Sequence, residues 1–243
     1  MEENRPRFRG QLILFDLDDT LFDFASTWHA ALVRTFSEYG PTAGLNPEEV
    51  TRRFLGVNDR LYGEYERGGL TLEAFREKRL KEALEPFGRA VGKEEVREHH
   101  HVYLEHYLQT LQPDPALIEL LQRLARQYRL GIVTNGPHDT QREKLVRLGL
   151  TDLFPERAVL ISHEVGVAKP DPRIYRLALE RFGVEAQQAL FVGDSWEADV
   201  AGAIDAGLQA VWLNKNRRQP ASVHEPLGII THWSGLPSVC ELD

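Results

Sequence analysis

The hydrophobic pattern of this chain changes period twice. Leu12–Phe15 is an unbroken apolar run, followed by Asp16-Leu17-Asp18. Such a run reads as a strand buried on both faces. Residues i and i+2 of an extended chain point the same way, so Asp16 and Asp18 can converge just beyond the strand end. From Phe24 the period becomes helical. Phe24, Trp28, Ala31, Leu32, Thr35, Phe36 and Tyr39 form one stripe, which Gly40-Pro41 ends. Asn46-Pro47-Glu48-Glu49 supplies a cap residue, a proline at the first helical position and a Glu for a capping box, so it opens a second helix. Gly68-Gly69 breaks that helix, Thr71 starts a third and Gly92 precedes a fourth. Residues 24–111 therefore predict an all-helical domain.

After Gln112-Pro113-Asp114-Pro115, which reads as a hinge, strand and helix patterns alternate. Leu130–Thr134, Val159–Ile161, Ala189–Gly193 and Gln209–Leu213 predict strands, with a weaker one at Gly228–Thr231. Helices are expected from Pro115, over Asp139–Leu148, between Asp171-Pro172 and Gly183, and over Ser195–Ala206. The alternation implies parallel strands joined by right-handed crossovers. The expected fold class is α/β: a doubly wound, Rossmann-like parallel sheet built from residues 1–23 and 112–243, with the helical domain 24–111 inserted after the first strand. Ligands bind such sheets beyond the C-terminal strand ends, near the point where strand order reverses.

Composition narrows the function. The formal net charge of −8 argues against nucleic acid or an anionic membrane as partner, since both need a basic footprint. Cys240 is the single cysteine, which excludes an intrachain disulfide and a cysteine zinc site. The N-terminal MEENRPRFRG is polar, and no stretch reaches the length of a membrane span, so a cytoplasmic protein is expected.

The expected strand ends carry the chemistry. Asp16, Asp18 and Thr20 follow the first strand, Thr134-Asn135-Gly136 the second, Lys169 the third, and Gly193-Asp194-Ser195 with Asp199 the fourth. Taken alone, Asp16 and Asp18 also fit a strand end that caps a turn. Together, DLDDT, TNG, the Lys of VAKPD and GDSWEAD resemble the ordered motifs of the haloacid dehalogenase-like hydrolase superfamily, and the likeness covers nearly the whole chain.

The resemblance implies a Mg²⁺-dependent phosphatase for a small phosphorylated metabolite, such as a nucleoside monophosphate or a sugar phosphate. It implies Asp16 as the nucleophile that forms an aspartyl-phosphate, and Asp18 as the acid and then base of proton transfer. Asp16, Asp194 and the Asp18 carbonyl would hold the metal. Thr134, Asn135, Gly136 and Lys169 would bind the phosphoryl group, with Lys169 counted among the catalytic residues. Thr20 and Asp199 would support them, although an Asp in a first helical turn also has a dipole reason to be there. The helical domain would be a cap.

Within the superfamily, Asp18 argues against haloacid dehalogenation, in which a halide leaves without a proton. The first lysine of the chain is Lys78, which argues against phosphonate hydrolysis through a lysine near the start of the insertion. The TNG…EVGVAKPD…GDS…VWLN series is similar to a branch that includes pyrimidine 5′-nucleotidases, acylneuraminate-9-phosphatase and a riboflavin-pathway phosphatase. A phosphomutase shares these motifs and remains an alternative; a non-catalytic phospholigand-binding protein on this fold is another, although such proteins usually lose a motif residue and none is missing here. A monomer or homodimer is expected. His99-His100-His101 reads as surface, Trp28, Phe36, Tyr62, Tyr65 and Phe75 as the core of the helical domain, and Arg217-Arg218 as a solvated loop.

Overall fold

The apolar run Leu12–Phe15 forms strand β1, fully buried at the centre of a parallel sheet. The structure is a computed structural model describing residues 7–242, so the first six residues of the polar N-terminal segment lie outside the described residues. Beyond β1 the chain forms four long helices, α1 (Phe24–Glu38), α2 (Pro47–Glu66), α3 (Leu72–Leu84) and α4 (Lys93–Thr110). The Asn46 side chain accepts from the amides of Glu48 and Glu49, and Thr71 accepts from Ala74, as N-cap residues do. Phe24–Leu111 is one of two compact units.

The core of that unit is aromatic and aliphatic: Leu32, Phe36, Val50, Phe54, Leu61, Phe75, Leu80 and Leu84 meet in it. Two histidines are buried in this unit, and one of them, His99, departs from the surface reading. His99 is buried against Phe36, Tyr39 and Phe54, and burial pushes its imidazole down to about 3, so it is neutral. His106 is also buried, with Nδ1 3.0 Å from Thr35 Oγ1. The reason is periodicity: residues seven apart share a helix face, and His99 and His106 occupy the inward stripe with Val96 and Tyr107. His101 is exposed, as are Arg217 and Arg218.

The second unit comprises Met1–Asp23 and Gln112–Asp243. Asp114 caps α5 (Pro115–Ala125), whose leucine face leads into β2 (Arg129–Thr134). Then come α6 (His138–Arg147), β3 (Val159–Ile161), the short α7 (Ser162–Val165), α8 (Pro172–Phe182) and β4 (Ala189–Gly193). A π-helical turn, Trp196–Ala201, continues as α9 (Gly202–Asp205) into β5 (Gln209–Leu213) and β6 (Gly228–Ile230). All strand pairings are parallel, in the order β3-β2-β1-β4-β5-β6. Strand order therefore reverses between β1 and β4, a doubly wound arrangement that opens a crevice beyond those two strand ends. No helix of the described residues is long and apolar enough to cross a membrane.

Candidate active site

The register of β1 and β4 puts two acids side by side. Phe15 pairs with Val192, and the Asp16 amide donates to the Val192 carbonyl at 2.9 Å. Asp16 thus leaves the sheet next to Gly193-Asp194, at the point of reversal. Asp16, Asp194 and Asp199 present carboxylate oxygens within 4.8 Å of one another.

Lys169 enters this cluster from the loop after β3. Its Nζ lies 2.7 Å from Asp16 Oδ1 and 2.7 Å from Asp199 Oδ1. Asn135 fixes the loop. Its Nδ2 donates to the Lys169 carbonyl and its Oδ1 accepts from the Lys169 amide, each at 2.9 Å. Both ends of that side-chain amide are thereby used on the backbone, so its side chain acts here by placing Lys169. The Asp16 Oδ2 accepts from the Thr20 hydroxyl at 3.2 Å.

Asp199 is brought inward by the π-helical turn. The Ser195 amide donates to its Oδ2 at 2.9 Å, while Ser195 Oγ accepts from the Ala198 amide. Gly193 is required for this approach, because a Cβ there would overlap the Asp199 carboxyl group. The sequence pattern predicts an ordinary helix over Ser195–Ala206; the wider first turn is the form that seats a carboxylate under its own N-terminus.

The electrostatics follow from burial. Burial raises Asp16, Lys169 opposes that, and Asp199 and Asp18 add to it, leaving Asp16 pushed up to about 8. Burial also raises Asp194, with Asp199 and Asp19 adding, to about 7. For Lys169, burial would lower the value, but Asp16 and Asp199 outweigh it and hold the ammonium charged well above the ordinary range. With three carboxyl groups set against the Lys169 ammonium, the cluster is short of positive charge.

A divalent metal fits this deficit. Asp194 has neither an ion pair nor a side-chain hydrogen bond among the described residues. Hard oxygen donors of this kind suit Mg²⁺-like cations. Asp194 is the donor with most capacity to spare; the Asp16 oxygens meet Lys169 and, at a longer 3.2 Å, Thr20, and those of Asp199 meet Lys169 and Ser195.

A second group lies along α6. The Thr134 hydroxyl accepts from Gln141 Nε2 at 2.9 Å, which leaves its own hydrogen to donate to an anion. The same Nε2 is 3.1 Å from Asp18 Oδ2, and Lys144 Nζ is 2.6 and 2.9 Å from the two Asp18 oxygens. Gly136 leaves room for the Gln141 amide, which a Cβ would displace, while its own N–H donates to Ser162 Oγ at 3.2 Å. Gln141, Lys144 and Ser162 are not expected from the sequence. The available signal is a set of polar residues on a stripe that helical spacing turns inward, since Gln141, Lys144, Leu145 and Leu148 are all buried.

Known proteins resemble this chain over most of its length. The family model for the haloacid dehalogenase-like hydrolases matches residues 11–207. Pyrimidine 5′-nucleotidase YjjG of Escherichia coli is 34% identical over 232 residues, 95% of each chain. Phosphoserine phosphatase of Thermus thermophilus is 36% identical over 233 residues, 86% of this chain and 90% of that one. The crystal structure of HAD-hydrolase YfnB from Bacillus subtilis, bound to magnesium, superposes with a TM-score of 0.78 at 26% identity, covering 94% of this chain and 97% of that one. With the acids at the reversal of its parallel sheet and a family match spanning most of its length, the chain belongs to the haloacid dehalogenase-like hydrolases.

Proposed function

We propose that the chain is a Mg²⁺-dependent phosphomonoesterase that works through an aspartyl-phosphate on Asp16. The observation that carries this reading is the position of Asp16, buried at the sheet's reversal with Lys169 at 2.7 Å and Asp194 beside it. Asp16, Asp194 and the Asp18 carbonyl are proposed to hold the ion. When bound, Mg²⁺ offsets the charge of nucleophile and phosphoryl group, which otherwise repel.

The chain's own residues account for the remaining steps. Lys169 and the Thr134 hydroxyl bind phosphoryl oxygens. An Asp16 oxygen attacks phosphorus and the ester P–O bond breaks, while Asp18 gives its proton to the departing alcohol. Water then attacks the phosphorus of the aspartyl-phosphate, giving its proton back to Asp18. The Asp16–phosphorus bond breaks, releasing inorganic phosphate and restoring both acids. Asp199 and Asn135 position Lys169 through this cycle.

The substrate class is proposed as small phosphorylated metabolites, first nucleoside monophosphates and sugar phosphates. The nucleotidase and phosphatase names of the relatives support that class. The helical unit is proposed to be the cap that selects among them. The test is phosphate release from 4-nitrophenyl phosphate in EDTA and after addition of Mg²⁺, followed by a panel of phosphorylated metabolites. The expected result is negligible release in EDTA and recovery with Mg²⁺. Turnover that is unaffected by EDTA would refute the metal-dependent reading.

A further inference from the structure

Asp18 is gripped from the helix that follows the second strand. Its two oxygens take Lys144 Nζ at 2.6 and 2.9 Å, and Gln141 Nε2 reaches Oδ2 at 3.1 Å. Lys144 is only 3% exposed and Gln141 is fully buried. A helical lysine is ordinarily solvated, and burying its ammonium is unfavourable unless a partner compensates.

Geometry gives this partner a purpose. Asp18 starts a tight loop in which Asp19 has φ 59° and Asp18 bridges to Phe22. Lys144 Nζ also lies 5.7 Å from the Phe22 ring centroid, so one ammonium touches both ends of the loop. Gln141 meanwhile joins Asp18 to the Thr134 hydroxyl, at 3.1 and 2.9 Å. The α6 residues therefore tie the carboxyl of Asp18 to the hydroxyl at the end of β2. An Asp on an untethered loop would rotate about its side-chain torsions, and proton transfer requires it within hydrogen-bond reach of the leaving oxygen.

We propose that Lys144 and Gln141 are positioning residues for Asp18, fixing the carboxylate that forms as its proton passes to the leaving oxygen, and holding it relative to the phosphoryl-binding Thr134. This rests on the reading of Asp18 as the proton donor. Neither side chain is assigned a contact with substrate.

The test compares kcat/KM, which reports steps through the first phosphoryl transfer, for 4-nitrophenyl phosphate and for a simple alkyl phosphate. An aryl leaving group needs little protonation and an alkyl one needs much. Lys144→Met is expected to lower kcat/KM for the alkyl ester by about 10- to 100-fold, part of what a general acid typically contributes, and for the aryl ester by less than about threefold. Asp18→Asn should show the same selectivity, and adding Lys144→Met to it should change little further. Gln141→Leu should follow in milder form, and Lys144→Arg should recover part of the alkyl activity. Equal losses for both esters, or full additivity with Asp18→Asn, would overturn the positioning role. If Asp18→Asn itself shows no leaving-group selectivity, the donor reading fails first, and this proposal with it. If Lys144→Met does not fold, as judged by circular dichroism, Gln141→Leu and Lys144→Arg decide by the same comparison.

Discussion

Raising the pH of the metal-free protein from about 5 to about 8 should destabilise it, in the direction opposite to that of an ordinary salt-bridged carboxylate. The cause is the elevation of Asp16 to about 8 and of Asp194 to about 7, both through burial first and neighbouring charges second. Below the ordinary carboxylate range these groups hold protons in both states and contribute no pH dependence. As the pH rises, the unfolded chain releases its protons while the folded chain retains them. Stability falls until the folded groups ionise in turn, near the values above. Lys169, raised in the folded state, stays protonated in both states across this window and adds no slope of its own. Each tenfold difference in proton affinity between folded and unfolded chain corresponds to about 1.4 kcal/mol, which allows several kcal/mol across the window; with solvent relaxation and shared protons we expect about 1–3 kcal/mol. For a chain of this size that is a fall in Tm of about 3–10 °C. The assay is thermal unfolding in EDTA across the pH range, with the Asp16→Asn/Asp194→Asn double variant as reference. The parent should fall relative to the variant, and saturating Mg²⁺ should reverse the fall, by about 2.7 kcal/mol at a hundredfold excess over its Kd. Parallel curves for parent and variant would show that neither acid is elevated, and would refute the charge deficit at the cluster.

Two further substitutions probe the same cluster. Lys169→Met leaves Asp16 and Asp199 buried without their shared ammonium; we expect a loss of about 3–5 kcal/mol in urea unfolding at neutral pH, smaller in acid, together with loss of phosphate release. Gly193→Ala forces a methyl into the Asp199 carboxyl; we expect about 1–3 kcal/mol of destabilisation and a large fall in kcat, and normal activity would show that Asp199 has room to move.

The sheet was legible because its strands are buried on both faces and so read as unbroken apolar runs, Leu12–Phe15 and Ala189–Gly193 most plainly. Acids placed immediately after such runs stand out, and Asp16, Asp194 and Lys169 do meet at the reversal of strand order. Lys144 was not legible because a helical lysine is solvated by default, and only the tertiary approach of Asp18 compensates its burial. Asp199 was legible as an acid in a first turn, but its inward direction depends on a π-helical turn that local propensity does not specify. His99 illustrates the converse error. A run of three histidines suggests surface, yet one of them falls on the aromatic stripe and is packed as a neutral ring.

The central claim is that Asp16 carries the phosphoryl group between substrate and water. It is tested most directly by acid-quenching the Asp18→Asn protein during reaction with 4-nitrophenyl phosphate and Mg²⁺, then mapping the modified residue by peptide mass spectrometry. The account predicts one added phosphoryl group on the peptide containing Asp16, absent when Asp16 is also changed to Asn. A phosphoryl group that persists in that double variant, or rapid phosphate release from it, would contradict the account.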